Sequence, residues 1–158
     1  MESRGYEASP DQKLKVLARI ARALNEAGIV WAVGASLLLY LKGKTDSFHD
    51  IDVMVSEADV EKLKGLLLPM GILAPPNTDR QYQTKHFLEF TIDGVEVDVM
   101  AGFVIVSEGR AYACPFSAEQ VAEYAQVGGE RIPLQSLDDW RRYYALMGRT
   151  SKVEMIDR

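Results

Sequence analysis

Asp50 and Asp52 flank a single apolar residue, Ile51, where a polar loop from Lys44 to His49 gives way to an apolar run. In an extended strand, residues i and i+2 point to the same face, with Cα atoms about 6.6 Å apart. Two carboxylates at that spacing repel by roughly 2.5 kcal/mol at an effective dielectric of 20. Either a divalent cation compensates the charge or both acids are solvated. All-oxygen ligands would favour Mg²⁺, Mn²⁺ or Ca²⁺. A second acidic pair lies in Val95-Glu96-Val97-Asp98-Val99, where acids alternate with valines and so share one face. If that strand lies beside the Asp52 strand, Asp98 completes a three-carboxylate cluster. Otherwise Glu96 and Asp98 face water.

Gly34-Ala35-Ser36 precedes a short apolar stretch, Leu37 to Lys42, after a strand-like run. Free N–H groups at a helix start and a Ser hydroxyl can hold a phosphate, and Ser36 can equally serve as a plain N-cap. Gly43-Lys44-Thr45 has the look of a P-loop end, but the glycine needed five places earlier is Leu38, so no phosphate cradle forms. His49 and His86 lack the paired spacing of a zinc motif. Neither a Gly-x-Ser-x-Gly elbow nor a Gly-x-Gly-x-x-Gly fingerprint is present. Lys42, Lys44, Arg80 and Lys85 either meet phosphates or remain solvated charges, and His49 either orients Asp50 or is an ordinary loop histidine.

The elements that must position these residues follow from periodicity. Ser9-Pro10-Asp11-Gln12 reads as a capping box opening a helix, with Leu14, Leu17, Ala18, Ala21 and Leu24 at helical spacing and Gly28 at its end. Ile29 to Val33 and Ile51 to Val55 read as strands. Ser56 to Asp59 opens a helix that turns Val60, Leu63, Leu66 and Leu67 inward, and Gly71 to Gln83 reads as an irregular loop. Phe87 to Ile92 and Val95 to Met100 form a hairpin across Asp93-Gly94. Val104 to Val106 and Ala111 to Ala113 read as a further pair. Helical starts at Ser117 and Ser136, with Gly128-Gly129 as a turn between them, predict a mostly helical tail. The order predicts a mixed α/β (α+β) fold with helices packed on a sheet. We expect one domain over 1–158, with a core at 10–115 and a helical extension at 116–158.

Composition limits the partners. The chain has 158 residues, of which Lys+Arg number 18 and Asp+Glu 23, for a net charge of −5. That balance makes nucleic acid an unfavourable partner without excluding a local contact. One cysteine, Cys114, precludes an internal disulfide and a cysteine-based zinc cage. No signal-like N-terminal core and no apolar run of membrane-span length are present, which predicts a cytoplasmic protein without a membrane partner.

The run of a strand, Gly34-Ala35-Ser36, a short helix, Asp50-Ile51-Asp52 in a strand and Asp98 in a later strand resembles the DNA polymerase beta-type nucleotidyltransferase superfamily. Within it the chain is similar to small bacterial members: the lincosamide and aminoglycoside nucleotidyltransferases of antibiotic resistance, and domains related to toxin–antitoxin systems. The likeness spans Ile29 to Met100. Arg149-Thr150-Ser151-Lys152 is loosely similar to the Arg-x-Lys-Asp stretch of some members, without the final Asp. Ala35 stands where many members have a second Gly or an immediate Ser. The resemblance implies an enzyme with a nucleotidyltransferase-type sheet, flanking helices and a short helical tail. In it, Asp50 and Asp52 hold two Mg²⁺ ions (Mn²⁺ as the substitute), and Asp98 joins the metal site and acts as general base or its positioner. Gly34, Ser36 and Lys44 are expected to bind a nucleoside triphosphate such as ATP. The implied reaction moves a nucleoside monophosphate to a hydroxyl of a small molecule or protein and releases pyrophosphate. A homodimer is consistent with such members, which pair across two subunits. The alternative is a catalytically weak nucleotide- or metal-binding regulatory domain of a toxin–antitoxin-like pair.

Overall fold

The computed structural model describes residues 7–76 and 84–158. Helix α1 (Pro10–Glu26) starts where the Ser9 hydroxyl accepts the Gln12 N–H at 3.1 Å. The expected capping box is only half made, because the Gln12 side chain reaches out to the Asp93 carbonyl instead of back to Ser9. Val16, Leu17, Ile20, Ala21 and Leu24 form its buried stripe, and the helix gives way at Ala27 and Gly28. Then follow β1 (Trp31–Val33), α2 (Ala35–Leu41), β2 (Ile51–Val55), α3 (Val60–Leu67) and β3 (Ile72–Leu73). The short β3 lies inside the stretch read as an irregular loop, and the rest of that loop from 77 to 83, Arg80 included, lies outside the described residues. Next come β4 (His86–Ile92) and β5 (Val95–Ala101), joined across Asp93-Gly94 as the hairpin signal predicts, and β6 (Val104–Ser107) and β7 (Arg110–Ala113).

The stretch after Ser117 corrects the helical reading. Ser117 and Gln120 do form a capping box, but it closes a single 3₁₀ turn. The chain then runs as a hairpin, β8 (Glu123–Val127) and β9 (Glu130–Leu134). Gly128 and Gly129 sit at φ 58° and 81°, the left-handed pair that a two-residue hairpin turn requires. Helices α4 (Leu137–Met147) and α5 (Thr150–Asp157) end the chain, so the extension is half hairpin and half helix.

Seven strands form one mixed sheet in the order β3-β4-β5-β2-β1-β9-β8, and β6 and β7 pair apart from it. β2 lies at its middle, antiparallel to β1 and parallel to β5, and all five of its residues are buried. Buried apolar residues from α1, α2, α3 and α4 join the inner sheet residues in one core.

Two details of the β1–α2 turn position the site. A Cβ on Gly34 would lie 2.5 Å from the indole Nε1 of Trp140, so only glycine admits that indole. Trp140 is buried, donates to the Gln135 Oε1 at 2.8 Å, and packs among Phe103, Tyr143 and Tyr144. Ala35, the first residue of α2, has φ 55°, a left-handed conformation that costs a residue with a Cβ roughly 1–2 kcal/mol. Gly34→Ala is therefore expected to destabilise the fold by about 1–3 kcal/mol through overpacking. Ala35→Gly is expected to range from neutral to about 1 kcal/mol more stable, as strain relief offsets the added freedom of the unfolded chain. Urea midpoints at unchanged m-value measure both changes, and a Gly34→Ala protein as stable as the parent would contradict the indole contact.

Candidate active site

Parallel pairing of β2 and β5 sets Asp52 directly opposite Asp98, with Ile51 opposite Val97 and Val53 opposite Val99. Asp50 ends the loop that enters β2. One carboxylate oxygen from each of Asp50, Asp52 and Asp98 lies within 4.8 Å of the others. Burial pushes the Asp52 carboxyl well above its ordinary pKa, and the charges of Asp50 and Asp98 push it further. Asp98 is pushed up to about 8, by burial first, then by its hydrogen bond with Asp50 and the charges of Asp50, Glu89 and Glu96. Three acids gathered in a partly dry site resist full ionisation unless a cation balances them. The donor set is entirely hard oxygen, which fits Mg²⁺ or Mn²⁺ and not a soft-metal cage.

Facing the carboxylates, Ser36 receives the Lys152 ammonium, with Nζ donating to Oγ at 3.3 Å, and is also hydrogen-bonded with Tyr144. Burial and the neighbouring Arg149 hold the Lys152 pKa below its usual value, while the charges of Asp52 and Asp50 act to raise it. Burial, followed by the charge of Asp52, lifts the Tyr144 phenol to about 12. Arg141 grips both carboxylate oxygens of Asp157 at 2.7 and 2.9 Å and ties α4 to α5, the helix that carries Lys152. Gly148 at φ 75° makes the turn between the two helices, and the Arg149 N–H bonds back to the Tyr144 carbonyl. Between the two groups opens a cleft of about 350 Å³, lined by the three acids, Ser36, Arg149 and several apolar side chains.

The structure brings Asp50, Asp52, Asp98, Ser36 and the Gly34 turn together. It does not bring Lys44 to them: its ammonium bonds the Arg158 carbonyl at 2.7 Å, outside the cleft. The geometry around Gly34 answers to the Trp140 indole. Lys42 pairs with Glu123 and Lys85 with Glu57. His49 puts Nδ1 on Glu7 at 3.1 Å and Nε2 3.5 Å from Glu96, so it engages Glu96 and neither residue lines the cleft. The residues that sequence reasoning weighted too lightly are Arg149, Lys152 and Tyr144. The only signal was the Arg149-to-Lys152 spacing, and its meaning depends on α5 folding back over Ser36.

Known proteins supply the remaining comparison. The aminoglycoside-2''-adenylyltransferase family model matches residues 16–158. No curated protein matches the sequence. Among solved structures, a candidate nucleotidyltransferase from Thermotoga maritima is similar over 97% of this chain and 95% of its own, with 24% identity and a TM-score of 0.75. ANT(2")-Ia in complex with adenylyl-2"-tobramycin is similar over 92% of this chain and 87% of its own, with 12% identity and a TM-score of 0.62. The lincomycin-bound lincosamide antibiotic adenylyltransferase LnuA covers 96% and 98%, with 11% identity and a TM-score of 0.63. These structures share the fold, and the family model covers nearly the whole sequence. A carboxylate group built across β2 and β5 is compatible with that membership: this chain belongs to the aminoglycoside-2''-adenylyltransferase family and so to the nucleotidyltransferases.

Proposed function

We propose that this nucleotidyltransferase depends on Mg²⁺ and moves a nucleoside monophosphate, ATP being the first candidate donor, to a hydroxyl of a small molecule. The observation that supports this best is the gathering of Asp50, Asp52 and Asp98 within 4.8 Å, opposite Ser36 and its Lys152 partner across one cleft. The small-molecule acceptor rests on the antibiotics named for the similar structures.

Asp50, Asp52 and Asp98 would hold the divalent cation. When bound, it neutralises triphosphate charge and acidifies the acceptor hydroxyl. Lys152, Arg149 and the Ser36 hydroxyl bind the triphosphate, their positive charge answering its negative one. Asp98, which lines the cleft, takes the acceptor proton. The acceptor oxygen then forms a bond to the α-phosphorus, the bridging bond to the β-phosphate breaks, and pyrophosphate leaves with that electron pair. The buried Phe103, Trp140 and Tyr144 keep water from one wall of the cleft.

Thermal melting with ATP, GTP, CTP and UTP tests the reading. A triphosphate at 100 times its Kd should stabilise the fold by about 2.7 kcal/mol, several degrees in Tm, only with Mg²⁺ present. Asp50→Asn with Asp52→Asn should abolish that shift, and Lys152→Met should raise the nucleotide Kd by about tenfold or more. No shift with any triphosphate would refute the proposal. Binding without pyrophosphate release under any acceptor would favour a regulatory domain.

The raised carboxyls also set a pH dependence. An acid whose folded pKa exceeds its unfolded value stabilises the fold while protonated and loses that contribution as pH rises. For Asp98 the window runs from 3.8 to about 8, and Asp52 acts in the same direction. In EDTA, stability should therefore fall between these limits, and Asp98→Asn should flatten the fall. Melting curves across that range decide it, a parallel decline in parent and variant being the contrary result.

A further inference from the structure

Part of the cleft wall is left unassigned by nucleotide chemistry. β4 and β5 run antiparallel with Phe87 opposite Met100 and Glu89 opposite Asp98. Residues two apart on a strand share a face, so these four side chains make a patch two strands wide. Phe87, Met100 and Asp98 of that patch line the cleft. Through the β2–β5 register, Asp52, Asp98 and Glu89 form one row across three strands. Glu89 is half-buried at the end of the row, and its charge is felt by Asp98. Among the described residues it has no hydrogen-bond or ion-pair partner.

Among the described residues, the acids lining the cleft are Asp50, Asp52 and Asp98, and the lining cation is Arg149, with Lys152 reaching it through Ser36. Glu96, the remaining acid on this face of β5, is engaged by His49. Among the described residues of this face, Glu89 is thus the carboxylate left to meet a cationic acceptor, and Phe87 and Met100 beside it are apolar. We propose that Phe87, Met100 and Glu89 form the acceptor subsite, and that it takes a molecule with a single protonated amine on an apolar body in preference to a polycation. The amine sits on Glu89 and the apolar body on Phe87 and Met100, which brings a nearby hydroxyl to Asp98. Each further amine of a polycation would be desolvated against apolar side chains or face Arg149, and both cost binding. This inference rests on the nucleotidyl-transfer reading above.

The test loads the full chain with Mg²⁺ and a non-hydrolysable analogue of the triphosphate that shifts its Tm. Calorimetric titration then compares lincomycin, which carries one basic amine, with tobramycin, which carries several. Lincomycin should bind at least about tenfold tighter than tobramycin. Glu89→Gln, which keeps shape and removes charge, and Phe87→Ala should each weaken lincomycin about tenfold or more. Tobramycin binding as tightly as lincomycin would overturn the proposal. So would lincomycin affinity unchanged in both variants, or neither antibiotic binding the nucleotide-loaded protein. If no triphosphate binds in the first place, the nucleotidyl-transfer reading itself falls, and that result is recorded before any acceptor is added.

Discussion

Parallel pairing of β2 with β5 puts Asp52 against Asp98 in the centre of the sheet, and the rest of the molecule is arranged around that like-charge contact. A central strand buried on both faces is ordinarily apolar throughout. Here Asp52 is only 8% exposed and shares its end of the sheet with two more acids. Such a site opposes folding when empty of counter-charge and favours whatever cation or cationic group enters it. The stability of the large apolar core around α1, β1 and β2 offsets that cost.

The opposite wall of the cleft is built by the end of the chain. Trp140 seats α4 against Gly34, so the start of α2, which carries Ser36, and the helix that carries Tyr144 are held in one packing contact. The Arg141–Asp157 fork then holds α5 to α4 and sets Lys152 at Ser36. Positive groups therefore reach the carboxylates from a separate layer of the fold. That separation lets one cleft hold carboxylates and cationic groups on facing walls without collapse into direct salt bridges. The two walls are linked electrostatically, because the charges of Asp52 and Asp50 act on Lys152.

Legibility along the chain followed the range of the interactions involved. The β4–β5 hairpin was readable because Asp93-Gly94 and its flanking alternation are local signals. The β8–β9 hairpin carried an equally local signal in Gly128-Gly129, but a genuine capping box at Ser117 and Gln120 pointed to a helix that lasts one turn. Edge strands with exposed outer faces, such as β8, offer too little apolar periodicity to overrule a cap. Lys44 carries a charge that a triphosphate could meet, but the fold places its ammonium on the Arg158 carbonyl.

The sequence by itself determined the acidic pairs, the strands that hold them and the glycine–serine turn, since each depends on spacing within a few residues. Its charge balance set the expected class of partner. Only the tertiary structure decided that Asp98 pairs with Asp52, that Glu89 extends the row while Glu96 turns to His49, and that Lys152 reaches Ser36 across 116 positions of the chain with Arg149 lining the same cleft. Those contacts are choices of strand register and helix docking. They are settled by burial of apolar faces over the whole sheet, and the acidic residues themselves contribute nothing to that burial.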